Sequence, residues 1–324
     1  MTNVLVTGSG GFIGSHLVEI LVNKGYNVKA FLRYNSRNHW GWLEKSPVLN
    51  EVEIISGDIR DYDSVFNALD DCEQVFHLAA LIGIPYSYVS PLAYIQTNVI
   101  GTYNVLQASK EKELEKIIVT STSETYGSAK YIPIDEKHPL IGQSPYSATK
   151  ISADQLALSY HRSFGLPVKI VRPFNTYGPR QSARAIIPTI ITQLLSGNNV
   201  LHLGNVFPTR DLTFVEDTAN AMISIAESSE LYGDVTNIGM NLEISIEDLA
   251  KLIAEIMSRE ISIKTDEDRT RPQNSEVDRL KCDNNKILQK TNWRPKYNLR
   301  SGLEKTISWL SDNSSQYKSD LYNV

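Results

Sequence analysis

A doubly wound parallel α/β sheet with a smaller interleaved α/β lobe is the fold this 324-residue sequence predicts. Three observations carry that expectation. Short apolar runs alternate with amphipathic stretches as far as Arg172. A glycine-rich turn, GSGGFIG at Gly8–Gly14, ends the first apolar run and opens the first amphipathic stretch. Beyond Arg172 the alternation loosens into helix-like stretches parted by loops rich in Arg, Pro and Asn.

Taken in order, Val4–Thr7, Asn27–Leu32, Val52–Ser56, Gln74–Leu78, Lys116–Ser121 and Val168–Arg172 read as strands. Phe12–Lys24, Tyr62–Leu69, Pro91–Lys110 and Pro145–Phe164 read as helices. Such alternation implies parallel strands with helices on both faces, and ligands then bind beyond the carboxyl ends of the strands. Ala185–Leu195, Val215–Ala226, Ser245–Met257 and Leu303–Trp309 are the later helices. The expected division is a first domain over 1–172, to which a segment at about 205–240 returns, a second lobe over 173–310 and a polar tail over 311–324.

Composition bounds the function. An apolar fraction of 41% and a charged fraction of 21% are ordinary for a soluble globular chain. The net charge of −5, with no basic block, argues against nucleic acid as a partner. Cys72 and Cys282 are too few for a disulfide framework or a zinc site, and no histidine or acidic spacing suggests a metal. His77, His138, His161 and His202 read as structural. The first residues run straight into strand-like VLVTG, with no basic leader and no long apolar span. A cytoplasmic protein with no membrane segment is expected.

The glycine turn has the spacing of a dinucleotide site. Gly8 allows the tight turn, Gly11 lets the backbone approach a pyrophosphate, and Gly14 permits close helix–strand packing. The amides of Phe12 and Ile13 then open a helix toward the phosphates. An acidic residue ending the second strand would hold the ribose 2′-hydroxyl of NAD. The segment Lys29–Asn38 has none, and Arg33, with Arg37 behind it, suits a 2′-phosphate; NADP is favoured, with NAD as the alternative and a plain surface arginine as the other reading. Asp58 and Ile59 in SGDIRD suit the adenine, and Leu78, Ala79 and Ala80 in FHLAA supply small residues where the cofactor passes.

Two further motifs carry the chemistry. Tyr146 and Lys150 in YSATK are four residues apart, which puts both on one helix face. A phenol ionises near 10, so work at neutral pH asks for roughly three units of depression, about 4 kcal/mol, which a neighbouring ammonium and a cationic nicotinamide favour. STSETYG, Ser121–Gly127, adds Thr122 and the carboxylate of Glu124. Glu124 is either a proton-transferring group or a loop cap.

With GSGGFIG, GDIRD, FHLAA, STSETYG, YSATK and RPFNTYGPR in hand, nearly the whole chain resembles the extended short-chain dehydrogenase/reductases that act on nucleotide sugars. The resemblance implies a Rossmann-type fold. It implies that Tyr146 takes the proton of the sugar C4 hydroxyl, that Thr122 hydrogen-bonds that hydroxyl, and that Lys150 holds the ribose and lowers the tyrosine pKa. Thr122-Ser123-Glu124 is similar to the 4,6-dehydratase pattern, although Ser123 stands where dTDP-glucose dehydratases have Asp. Glu124 would then serve as base at C5 and as acid to the C6 hydroxyl. UDP-glucuronate decarboxylases carry the same Thr-Ser-Glu, and 4-epimerisation is a further alternative. The stretches Leu203–Asp211, Arg271–Lys286 and Asn292–Pro295 resemble GDP-mannose 4,6-dehydratases. FLRYNSRNHWGWLE resembles the dehydratases that open legionaminic acid synthesis from a GDP- or UDP-linked N-acetylglucosamine. By the same resemblance Asn175 meets the substrate phosphates, Arg210 and Arg271 clamp the diphosphate, and Arg184 and Glu276 are weaker substrate contacts. Surface ion pairs are the other reading of the arginines. The helices Pro91–Lys110 and Pro145–Phe164 would form a homodimer, or a tetramer built from it, although packing within one subunit would look the same. A non-catalytic NADP sensor is the remote alternative, which the Thr122, Tyr146 and Lys150 set argues against.

Overall fold

The computed structural model describes residues 1–266 and 275–317. The first part of the chain gives β1 (Asn3–Thr7), α1 (Phe12–Asn23), β2 (Asn27–Arg33), β3 (Val52–Gly57), α2 (Tyr62–Ala68), β4 (Gln74–His77) and α3 (Ile84–Val89). A continuous helical run follows, made of α4 (Pro91–Tyr94), a π-helical segment over Ile95–Ile100 and α5 (Gly101–Glu111). Then come β5 (Lys116–Thr120), α6 (Pro145–Phe164) and β6 (Val168–Pro173). The rest is β7 (Asn175–Tyr177), α7 (Ile186–Leu195), β8 (Val200–Leu203), β9 (Thr209–Arg210), β10 (Leu212–Phe214), α8 (Val215–Glu227), β11 (Val235–Ile238), β12 (Ile244–Ser245), α9 (Ile246–Ile256), β13 (Ser262–Thr265), α10 (Asn285–Lys290) and α11 (Leu299–Asp312).

Among the described residues, seven parallel strands form the main sheet in the order β11-β6-β5-β4-β1-β2-β3. Chain order reverses between β1 and β4, which opens a crevice at their carboxyl ends. Strands covered on both faces must be apolar on both, and β4 and β6 are buried along their whole length. One face packs against α1 and α8 through Leu17, Val18, Leu21, Met222 and Ile225. The other packs against α2, α5 and α6 through Val65, Val105, Leu106 and Ala157. Each such leucine stabilises the fold by about 1.5–3 kcal/mol.

A separate core under α7, α9 and α11 holds Ile190, Ile191, Leu249, Ile253 and Leu303. Short ladders, β10 with β7, β9 with β12 and β8 with β13, link it to the crevice. The expected helix over Pro91–Lys110 is broken in register by the π-helical segment, and α11 starts at Leu299 rather than Leu303 because Asn298 caps it through Ser301 N. Helix continues through Asp312, past the expected start of the tail, and the Tyr317 hydroxyl donates to Gln181 O at 2.8 Å. No helix among the described residues is long and apolar enough to cross a membrane.

Candidate active site

The crevice is a cavity of about 870 Å³, and apart from Arg37 every candidate residue that falls within the described residues lines it. Arg271 lies outside the described residues.

The glycine turn forms its floor. Gly8 adopts φ +72°, and a Cβ there would lie 2.8 Å from Ala79 N, so the β1 and β4 ends approach as only glycine allows. A Cβ on Gly14 would lie 2.2 Å from Gly8 O, whereas one on Gly11 meets only Gly8 O at 3.1 Å. The turn is thus closed behind and open in front. Gly11 caps α1, which has no acidic residue in its first turn, and this leaves Phe12 and Ile13 at a helix N-terminus suited to an anion. These features fit the pyrophosphate of a dinucleotide. Thr7 Oγ1 accepts from Leu78 N and Ala79 N at 3.1 Å each and contacts His77 Nδ1 at 2.8 Å. The other ring nitrogen of His77 meets Thr102 Oγ1, whose own proton goes to Asn98 O. His77 is therefore neutral, with its proton on Nε2, and burial with the nearby Lys150 charge pushes it down to about 3.

Among the residues expected near the adenosine, Arg33 is exposed at the close of β2, and Asp58 accepts from Arg60. That partner, more than any other cause, holds the Asp58 carboxyl below its usual range. His39 and Trp40, from the loop after β2, also line the cavity, which the sequence reading missed.

The side chains expected to carry the chemistry come from the turn after β5 and from α6. Thr122 caps a 3-10 turn over Ser123–Tyr126, and its hydroxyl accepts from Glu124 N at 3.3 Å. That cap puts Thr122 and Glu124 together at the sheet's carboxyl edge. α6 begins with a capping box between Ser144 and Ser147 and Pro145 in its first turn, and Tyr146 is fixed there. Asn98 in the π-helical segment bonds Leu81 N, Leu81 O and Thr149 Oγ1, and Thr149 Oγ1 donates to Tyr146 O. The Tyr94 ring meets that of Tyr146 edge to face at 6.2 Å.

Lys150, one turn on, donates to Thr120 O at 2.5 Å. Burial lowers it to about 8, opposed by the charge of Asp154. Tyr146 is buried beside it. Its phenol is pushed above the ordinary value, first by burial and then by the negative charge of Glu124, while the Thr122 hydrogen bond pulls the other way. Desolvation of the phenolate is the largest of these effects.

On the opposite wall, Arg210 and Glu276 pair with each other at 3.4 Å, and Arg210 also donates to Val277 O. Asn175 Oδ1 is buried without a hydrogen-bond partner, an orphan that a ligand's donor would satisfy. A Cβ on Gly83 would lie 2.1 Å from Arg184 Nη1, so the guanidinium crosses the loop after β4. His202, expected to be structural, lines the cavity as well. No cluster among the described residues has the makings of a metal site. Cys72 and Cys282 are free and buried.

A family model described as GDP-mannose 4,6-dehydratase matches residues 5–306. The chain is 32% identical over 320 residues to a dTDP-glucose 4,6-dehydratase of Streptomyces antibioticus, covering 98% of this chain and 94% of that one. It is 32% identical over 321 residues to a UDP-N-acetyl-alpha-D-glucosaminuronate decarboxylase of Bacillus cytotoxicus, covering 95% and 97%. A UDP-glucuronic acid 4-epimerase from Bacillus cereus, solved with UDP-glucuronic acid and NAD, superposes with a TM-score of 0.87 at 29% identity, covering 96% and 100%. NAD is the dinucleotide in that structure, so the preference for NADP read from Arg33 gains no support from it. By the match along nearly its whole length and by its fold, this chain belongs to the GDP-mannose 4,6-dehydratase family of extended short-chain dehydrogenase/reductases, enzymes that dehydrate, epimerise or decarboxylate nucleotide sugars.

Proposed function

We propose that this chain is a nucleotide-sugar 4,6-dehydratase that turns GDP- or UDP-linked N-acetylglucosamine into its 4-keto-6-deoxy form. The observation that carries this reading is Glu124, held by the Thr122 cap on the same cavity wall as Tyr146 and close enough for its charge to act on the phenol. Elimination needs a base at C5 and an acid at C6, whereas 4-epimerisation needs neither.

A dinucleotide held by the glycine turn and Lys150 would supply the hydride acceptor for C4 and the hydride donor for C6. Tyr146 takes the C4 hydroxyl proton, and Thr122 orients the same hydroxyl. Lys150 holds the ribose. Glu124 takes the C5 proton and gives it to the departing C6 hydroxyl, which leaves as water. Tyr146 returns its proton to C5, so one water is lost overall and every residue is restored. Asn175, Arg184, Arg210 and Glu276 bind the nucleotide diphosphate and its sugar. NAD is the working cofactor; Arg33, exposed at the end of β2, supports acceptance of NADP as well. The exposed apolar row of Val89, Leu92, Ile95, Ile100 and Tyr103 supports a homodimer. The product would feed surface-glycan synthesis of the legionaminic acid type, as the sequence resemblance implies.

Arg184 favours a second reading. A guanidinium on this wall suits the C6 carboxylate of a UDP-linked uronate, which would lose carbon dioxide instead of water. Mass spectrometry of the product from GDP- and UDP-N-acetylglucosamine, without added reductant, tests both. Loss of one water supports the dehydratase. Intact sugars, with carbon dioxide lost from UDP-glucuronate, overturn it.

A further inference from the structure

Behind the reacting residues lies a buried charge cluster outside the motifs. Asp154 follows Lys150 by four residues on α6, so the two share a helix face. Its side chain is fully buried. Oδ2 accepts from Arg172 Nη2 at 2.6 Å and from Ser121 Oγ at 2.7 Å, while Oδ1 has no hydrogen-bond partner. Arg172, on β6, is equally buried, with its guanidinium 4.6 Å from the centre of the Tyr126 ring. Arg172 pairs directly with this carboxylate, and Lys150, one turn away on the same helix face, lies within reach of its charge while its own proton goes to Thr120 O. The other ionisable groups near this cluster are Tyr146 on the same helix, neutral His77 on β4, Glu124 and Tyr126 on the 3-10 turn, and Tyr94 on α4. Glu124 lines the open cavity. Asp154 is left as the enclosed counter-charge for Lys150.

We propose that Asp154 is a positioning residue with two tasks: it serves as counter-charge to the Lys150 ammonium at the dinucleotide site, and through Ser121 it fixes the end of β5 that carries Thr122 and Glu124. This rests on the reading of Lys150 as the group that holds the dinucleotide. The Asp154 charge favours protonated Lys150, opposing the burial that lowers it to about 8. Removing that charge moves the loss of the ammonium to lower pH.

The test is calorimetric titration of the ligand-free chain with NAD from pH 6 to pH 10, which needs no sugar substrate. In the parent, affinity falls as pH rises past about 8. Asp154→Asn should bring that limb down by about one unit, which is about fivefold weaker binding at pH 8 and approaches about tenfold at higher pH. Asp154→Asn strands the Arg172 charge and can fail to fold. The double variant Asp154→Asn/Arg172→Met removes both charges and keeps the volume. If Asp154 answers to Lys150, the double variant keeps the lowered limb. If Asp154 serves Arg172 alone, the double variant regains the parent profile and the proposal falls. A parent affinity that does not vary with pH, and that Lys150→Met leaves unchanged, overturns the role of Lys150 itself instead.

Discussion

Lys150 reaches back from α6 to the last carbonyl of β5, with Nζ 2.5 Å from Thr120 O. The bond ties the helix that carries Tyr146 to the strand that leads into Thr122 and Glu124. An ammonium with one proton on that carbonyl has two more to offer a ribose in the cavity. Lys150→Met should keep the fold, since the aliphatic stem is retained, but weaken NAD binding about tenfold or more. Calorimetry beside a thermal melt separates the two effects.

The hydrogen bond from Thr122 eases ionisation of Tyr146. Burial holds the phenol above its ordinary value, so the hydrogen bond matters most where the phenolate must form. Losing it raises the phenol further. In Thr122→Ala the acid limb of the kcat/KM profile should therefore move to higher pH, with about tenfold lower activity at pH 7. Tyr146→Phe should lose about 10²–10⁴-fold at every pH. A Thr122→Ala profile lowered uniformly, with its limb unmoved, would assign the hydroxyl to substrate orientation alone.

Glu124→Gln separates oxidation from elimination. The amide keeps the size of the side chain and its place on the 3-10 turn but cannot take the C5 proton. Water loss should fall about 10²-fold or more, while absorbance at 340 nm reports reduced dinucleotide accumulating after C4 oxidation. Parent-rate elimination in this variant would give the base role to another group.

The sheet and the cofactor turn are legible in the sequence because backbone geometry demands their residues. Gly8 and Gly14 have no room for a side chain, and buried parallel strands leave unbroken apolar runs. The Arg210–Glu276 pair is not legible, because residues so far apart meet only once β9 and the segment after residue 274 come together. Asp154 and Arg172 are hidden for a related reason. A charge on an amphipathic helix, or one that closes a strand, reads as exposed until packing buries both. The π-helical segment is silent as well: Asn98 has an ordinary helical neighbourhood, and only the shifted register turns it toward Leu81 and Thr149.

Arg33 bears on cofactor choice. It is exposed at the end of β2, with a carboxylate, Asp58, near enough to feel its charge. A 2′-phosphate met by this guanidinium would gain a charge-assisted hydrogen bond of about 1.5–3 kcal/mol, whereas NAD has no group there to lose. Arg33→Ala should weaken NADP about tenfold or more and leave NAD within about twofold. Equal losses for both would make Arg33 a general contributor to potential rather than a phosphate contact.

Two glycines of the same turn should fail in different ways. In Gly14→Ala the new methyl would sit 2.2 Å from Gly8 O, a backbone atom that cannot rotate aside, so α1 must move off β1. About 1–3 kcal/mol of stability should go, and dinucleotide affinity with it. Gly11 has φ −80°, which alanine tolerates, and its methyl would meet only Gly8 O at 3.1 Å. Gly11→Ala should therefore melt near the parent, yet bind NAD at least about tenfold more weakly, because the methyl occupies the space in front of α1 that the pyrophosphate needs. Thermal melts paired with NAD titrations test the contrast. Full NAD affinity in Gly11→Ala would mean that the pyrophosphate does not cross this turn at close range.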